Sequence, residues 1–415
     1  MRIQDYYEFI ARVRIVSGHD VLEKIPDELK KIGATKPLIV TDKGVSGVGL
    51  VDVLKNALGE KITIAKIVDD VPQDSDIRIV QRLAKEYREV GCDCLIALGG
   101  GSVLDTAKGI NIMVSEGVND LMKFTGKGVV KKALKPLIAI PTTAGTGSEM
   151  TQAAVIEDHE KKLKKLFVSP FISPDIAVLD SRMTLTLPTA ITAATAMDAM
   201  AHAVEAYTCL GKNPMSDTCA LTAIKLIREN LLTVMKSPDD KNGRLALANA
   251  ATLAGMAFSN SLPGVVHSLG HSVGSVCGVP HGVCMAILLP YGLEYNLHKN
   301  EQLTAELLLP LGGEEEFVKT PKHLRAERTI YFIRKLNQDL HDVSDHRHAR
   351  FFKEVLDREG KRMVPRERLP EIAQAALGDG TVIYNPEDLD LDDFLMIIEA
   401  SWEGVPLDRS RIKKG

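Results

Sequence analysis

Cysteine, net charge and long apolar runs are all scarce in this 415-residue chain, and each shortage excludes a class of protein. Six cysteines are too few to staple a fold with disulfides. The closest pair, Cys92 and Cys94, has one intervening residue, the wrong spacing for a CxxC redox couple, and is expected to be structural and buried. A net charge of −4 offers no electrostatic reason to bind nucleic acid or an anionic membrane. Lysine runs such as Lys161-Lys162-Leu163-Lys164-Lys165 are diluted by acidic neighbours and read as solvated faces. No stretch approaches the roughly 20 apolar residues of a membrane helix; the nearest, Gly264–Leu293, is interrupted by three histidines, prolines and glycines. The opening MRIQDYYEFIARVRI lacks a basic stretch leading into an apolar run, so no secretory signal is expected and the chain reads as cytoplasmic.

What is present divides into two halves with different patterning. Up to about residue 187, short β-rich runs alternate with helical stretches. Pro37–Asp42, Ile62–Asp70, Cys94–Ser102 and Pro136–Thr143 read as strands, with helices around Leu50–Leu58 and Ile77–Glu89. That alternation predicts a mostly parallel, Rossmann-like sheet covered on both faces. Beyond Pro188 the chain becomes long, Ala- and Leu-rich and helical in period, as in TAITAATAMDAMAHAVEAY and RLALANAATLAGMAF. The expected organisation is an α/β cofactor-binding domain over residues 1–187 and an all-α domain over 188–415. The His- and Arg-rich piece 341–350 is expected at the surface.

Gly99, Gly100, Gly101 and Ser102 fall where a strand becomes a helix. Glycines there let backbone N–H groups and a helix N-terminus approach a phosphate, although such a turn can also be glycine-rich for steric reasons alone. A second run, IPTTAGTGSEMT, places Thr142, Thr143, Thr146 and Thr151 after the next strand. Two polar loops on consecutive strand ends point to a dinucleotide site at the carboxyl edge of the sheet. Asp42 ends an earlier strand; it suits either an adenosine ribose, favouring NAD over NADP, or a helix N-cap.

The helical half carries a second constellation. Asp198 and His202 are four residues apart on one helix face, and His267, His271 and His281 follow within 15 residues of each other. One lone apolar-face histidine is ordinarily a satisfied core residue, but this grouping suits a divalent first-row metal such as Fe²⁺ or Zn²⁺. A purely structural metal is the alternative, and the lack of any cysteine in the cluster speaks against a closed zinc site.

GGGSVLDTAK, IPTTAGTGSEMT, MDAMAHAVEAY and HSLGHSVG…PHGVCMAILLP together resemble the iron-containing (group III) alcohol dehydrogenases, from about Thr41 to Asn296 and more loosely beyond. The resemblance implies a dehydroquinate-synthase-like α/β domain followed by an all-α domain. It implies metal ligation by Asp198, His202, His267 and His281, with His271 beside the nicotinamide and the candidate for proton relay. Gly99 to Ser102 match its pyrophosphate loop, and Thr142, Thr143, Thr146 and Thr151 its second cofactor loop. Lys164 matches a lysine that reaches the cofactor cleft, and Asp42 the position tied to NAD preference. The chain departs from the family at Gln73, which stands where an Asn commonly contacts cofactor, and at Pro263, which interrupts the approach to His267.

The activity so implied is metal-dependent hydride transfer between NAD(H), with NADP as the alternative, and a small primary alcohol or aldehyde, in a homodimer. A dehydroquinate-synthase-like lyase or a transhydrogenase with internally recycled NAD shares the same plan. The apolar surroundings of the histidines disfavour the lyase, whose phosphorylated substrate calls for several basic residues.

Overall fold

The computed structural model describes residues 5–158 and 163–412. In chain order the first half contains β1 (Arg14–Gly18), α1 (Ile25–Lys31), β2 (Pro37–Val40), α2 (Lys43–Gly47), α3 (Leu50–Leu58), β3 (Lys66–Val68), α4 (Ile77–Val90), β4 (Cys94–Gly99) and α5 (Gly101–Glu116). There follow β5 (Gly126–Lys127), β6 (Leu137–Pro141), β7 (Ala153–Asp158), β8 (Leu163–Val168) and β9 (Ile176–Asp180). The second half is helical. Its main elements are α6 (Thr189–Thr208), α7 (Pro214–Lys236), α8 (Lys241–Ser259), α9 (Val265–Cys277) and α10 (His281–Glu306). No described helix is long and apolar enough to cross a membrane.

The chain folds as two compact units, the first made of Ile10–Leu187 with Asp239–Ser259. Its centre is a six-stranded parallel sheet in the order β1-β9-β6-β4-β2-β3. The strands β2, β4, β6 and β9 are buried on both faces, so their hydrophobic runs are continuous and successive residues feed opposite cores. Leu38, Val40, Leu95, Ala97, Leu137 and Ala139 pack with α4 and α5 on one side. Ile39, Cys94, Ile96, Leu98, Ile138 and Ile140 pack with α1 and α3 on the other. Cys94 is therefore core, whereas Cys92 is only half-buried. A small sheet, β5-β8-β7, belongs to the same unit and contains an antiparallel β7–β8 pair.

From β2 the chain runs outward to β3 and returns to the other side of β2 as β4. The direction of strand addition reverses between β2 and β4, and ligands of open α/β sheets bind at the carboxyl ends on either side of such a reversal.

Helix α8 belongs to this first unit although it lies far along the helical half of the sequence. Periodicity marks it as a helix but not as a partner of the sheet domain. It is held there by side chains: Asn249 Nδ2 donates to Ser17 Oγ at 2.8 Å, and Thr252 Oγ1 to Glu149 Oε1 at 2.7 Å.

The other unit comprises residues 188–238 and 260–412 with the short segment 5–9. α6 is buried almost all round, which its alanines allow by letting α7 and α10 pack closely against it. The 341–350 segment is not wholly at the surface: His348 is buried, with Nε2 3.0 Å from Asn337 Oδ1, and Asn337 donates to the α10 carbonyl of Ala286 at 2.7 Å.

Candidate metal centre and cofactor loops

α6, α9 and α10 each contribute to one buried cluster. On α6, Asp198, His202 and Glu205 follow at intervals of four and three, so all lie on one face. α9 carries His267 in its first turn and His271 one turn later. α10 begins at His281, and the next residue, Gly282, lets this end come close to α6: a Cβ there would lie 2.5 Å from the Ala194 carbonyl oxygen.

Asp198 Oδ1 lies 3.3 Å from Nε2 of His281 and 4.0 Å from Nε2 of His267. Asp198, His267 and His281 each offer a ligand atom within 4.8 Å of the others. His202 borders this trio, with Nδ1 3.7 Å from Asp198 Oδ1 and its ring stacked on His267 at 4.4 Å between centroids. His271 stands behind them, its ring 5.3 Å from that of His281.

Two atoms in this cluster test whether a cation fits. Asp198 Oδ1 and His267 Nε2 are buried and have no hydrogen-bond partner among the described residues. Burying a carboxylate oxygen opposite an imidazole nitrogen with no donor between them costs several kcal/mol. A cation bound by both removes that cost, and the donor set of one carboxylate and imidazoles suits a divalent first-row metal. Burial alone would raise the Asp198 carboxyl, but His202 and His281 beside it hold it below the usual carboxylate range. Burial pushes the His202 imidazole down to about 3, which keeps it neutral and able to ligate.

Sequence reasoning did not single out two further acids. Glu205 accepts a hydrogen bond from the Val266 N–H at 2.8 Å and contacts His267 Nδ1 with its other oxygen. Asp379 Oδ2 lies 2.9 Å from His271 Nδ1 and is itself held by the Thr381 N–H at 2.8 Å and hydroxyl at 2.6 Å. Glu205 was legible as the next same-face acid after Asp198 and His202. Asp379 lies 108 residues from its partner, and no local spacing marks it.

In the first unit Asp42, Gly99 to Ser102 and Thr142, Thr143 and Thr146 follow the carboxyl ends of β2, β4 and β6, which are neighbours in the sheet, whereas Thr151 precedes β7 and Lys164 lies on β8 of the small sheet. Gly100 is the N-cap of α5, and a Cβ on the next residue, Gly101, would lie 2.9 Å from the Thr146 side chain of the β6 loop. The Ser102 hydroxyl contacts the Gln73 carbonyl, and Lys164 Nζ pairs with Asp74 at 3.3 Å. Asp42 caps α2, accepting from the Val45 N–H at 3.0 Å.

Thr142 is buried, and Thr143 and Thr146 half-buried. Thr151 is committed differently. Its hydroxyl accepts from the fully buried Lys108 at 2.8 Å, and Lys108 also donates to Ser148 at 2.8 Å and to the Ala153 carbonyl at 2.7 Å. Thr151 thus ties the β6 loop to α5.

Both halves of the chain match known sequence families: residues 12–181 match "Iron-containing alcohol dehydrogenase", and residues 192–402 match "Fe-containing alcohol dehydrogenase family, C-terminal". This chain belongs to the iron-containing alcohol dehydrogenase family. Alcohol dehydrogenase 4 of Saccharomyces cerevisiae is 34% identical over 93% of this chain and 96% of its own length. The 1,3-propanediol dehydrogenase of Klebsiella pneumoniae is 35% identical over 89% of this chain and 92% of its own. Among solved structures, an alcohol dehydrogenase from Oenococcus oeni superposes with a TM-score of 0.88 at 33% identity, covering 96% of this chain and all of that one. Membership in an oxidoreductase family agrees with the α/β-plus-helical architecture and with the cluster around Asp198.

Proposed function

We propose that this iron-containing alcohol dehydrogenase transfers hydride between NAD(H) and a small primary alcohol or its aldehyde, using a divalent metal held by Asp198, His202, His267 and His281. The observation that carries the reading is the buried, unpartnered pair of Asp198 Oδ1 and His267 Nε2 beside His281. A metal there supplies Lewis acidity toward an alcohol or carbonyl oxygen, and NAD supplies the hydride acceptor. The Bacillus methanolicus relative, 36% identical over 78% of this chain, is named an NAD-dependent methanol dehydrogenase, and the Klebsiella relative a 1,3-propanediol dehydrogenase; both names favour a small primary alcohol, and the first favours NAD.

The remaining roles fall to the chain's own groups. Gly99, Gly100, Gly101 and Ser102 present the N-terminus of α5 to the pyrophosphate, where free N–H groups and the helix dipole favour negative charge. Thr142, Thr143 and Thr146 line the next strand end and offer hydroxyls to the cofactor, and Thr151 holds that loop in place through Lys108. Lys164 adds positive charge near the loop of Gln73. Asp42 accepts from a ribose hydroxyl through the carboxylate oxygen that does not cap α2.

His271 is the proton relay. Asp379 holds its Nδ1, which leaves Nε2 to take the alcohol proton. Burial lowers the His271 pKa and Asp379 only partly offsets that, so the ring is neutral and able to accept at neutral pH. We further place the active form as a cytoplasmic homodimer.

The test is NADH oxidation with a panel of short aldehydes, using protein stripped by chelator and reloaded with Fe²⁺ or Zn²⁺. Turnover should require metal, vanish in His267→Ala and fall when NADPH replaces NADH. Absence of turnover with either metal, despite NADH binding, would overturn the dehydrogenase reading.

A further inference from the structure

We propose that Glu205 is a positioning residue of the metal centre, fixing His267 in the tautomer and orientation that turn a bare Nε2 toward the metal. The proposal rests on the metal reading above.

Glu205 is buried on α6, seven residues after Asp198 and on the same helix face. Its two oxygens do two different jobs. Oε1 accepts from the Val266 backbone N–H at 2.8 Å, and Oε2 meets His267 Nδ1 on the adjacent residue. A carboxylate offers only acceptors, so the imidazole proton resides on Nδ1 and Nε2 is left with its lone pair. That nitrogen is the one 4.0 Å from Asp198 Oδ1 with no hydrogen-bond partner among the described residues. Anchoring the ring and the backbone of its own helix turn to one carboxylate leaves the His267 side chain little freedom to rotate away.

Capping of α9 alone does not account for this arrangement. The N-cap is Gly264, which has no side chain to offer. Asn385 Oδ1 meets the Val265 N–H at 3.2 Å, and Glu205 Oε1 meets the next one. A Cβ at position 264 would lie 2.8 Å from Asn385 Oδ1 and 3.2 Å from Glu205 Oε1, so glycine leaves room for both. Capping would be complete with Oε1; the second oxygen is directed at the histidine. Outer hydrogen-bond partners of ligating histidines are worth about 10- to 100-fold in metal affinity.

The experiment measures Zn²⁺ affinity by competition with a chromogenic chelator, on full-length wild type, Glu205→Gln, Asn385→Ala and His267→Ala. Glutamine matches glutamate in volume but has one oxygen, so either Val266 N–H or His267 Nδ1–H loses its acceptor. Glu205→Gln should bind Zn²⁺ about 10- to 100-fold more weakly, while Asn385→Ala, which removes the Val265 acceptor and the bonds to Asn296 and the Glu387 carbonyl but no contact with a histidine, stays close to wild type. Equal affinity of Glu205→Gln and wild type would overturn the proposal. An equal loss in Glu205→Gln and Asn385→Ala would also overturn it, because capping would then explain the effect. Wild type binding Zn²⁺ no better than His267→Ala would overturn the metal reading and this inference together. Should the Glu205 variant fail to fold, ¹⁵N correlation spectra of metal-free wild type decide: an Nδ1-bound proton on His267 is expected, and an Nε2-bound proton overturns the proposal.

Discussion

Gly147 and Gly255 meet backbone to backbone. Gly147 sits at φ +59, and a Cβ on it would lie 2.5 Å from Cα of Gly255 and 2.8 Å from the Ala251 carbonyl oxygen. A Cβ on Gly255 would in turn lie 2.6 Å from the Gly147 carbonyl oxygen. With the Thr252–Glu149 hydrogen bond at 2.7 Å, this contact seats α8 directly on the loop after β6. A helix remote in sequence thereby sets the position of Thr142, Thr143 and Thr146.

Replacing Gly255 by valine should therefore act on cofactor binding without touching a cofactor residue. Overpacking of a tight contact costs about 1–3 kcal/mol, so Gly255→Val should lower the urea midpoint accordingly. The displaced loop should also weaken NADH binding, read by fluorescence titration, while Zn²⁺ affinity stays at the wild-type value. Unchanged NADH affinity in a destabilised variant would show that α8 supports the fold but not the loop.

Asp42 combines a cap with a charge, and two substitutions separate them. Asp42→Asn keeps an acceptor for the Val45 N–H and removes only the negative charge. Its kcat/KM ratio should shift toward NADPH by about tenfold or more, since a like charge facing a 2′-phosphate costs at least the ~1.4 kcal/mol that a factor of ten represents. Asp42→Ala should show the same shift and lose about 1 kcal/mol of stability with the cap. Stability loss in Asp42→Ala with no change of cofactor preference in either variant would reduce Asp42 to its capping role.

Asp180 should contribute to the acid sensitivity of the fold. Burial alone would raise this carboxyl, but Arg182 holds it below the ordinary carboxylate range, with Nη2 at 2.8 Å and its backbone N–H at 3.0 Å, and the Leu22 N–H adds a third bond at 3.2 Å. A folded-state pKa below the unfolded value stabilises the protein above the unfolded pKa, near 3.9. That contribution shrinks below it and is lost as pH falls through the folded value. Asp180→Asn should cost about 1.5–3 kcal/mol at pH 7 by weakening its charge-assisted bonds to Arg182, which keeps its pair with Glu23, and the gap to wild type should narrow below about pH 4. Urea unfolding of both proteins across that range provides the check; a gap independent of pH would assign the loss to packing.

Much of this molecule was readable from local pattern. Continuous apolar runs at Leu38 to Val40 and Cys94 to Leu98 marked buried strands, and the alanine-rich period of 189–207 marked α6 almost to its ends. The spacing of Asp198 and His202 announced a shared helix face, and glycines at 99–101 announced a strand-to-helix turn. The strand β9, IAVLD, carries an apolar run like that of β2, but β1 and the β7–β8 pair carry no comparable signal. Their identity comes from pairing, as in the Ile15–Ala177 register, which local propensity does not contain.

Residue types and their local spacing thus determined the family, the alternation of strand and helix, and which side chains could ligate a metal or cradle a phosphate. Long-range packing decided the rest. It brought His281 to Asp198 through the close approach at Gly282, set Asp379 on His271, and recruited α8 to the α/β unit. It also committed Thr151 to Lys108 and turned Glu205 onto His267. A sequence period reports the face on which a side chain lies. Which distant group meets that face depends on how elements far apart in the chain pack together, and only the folded structure contains that information.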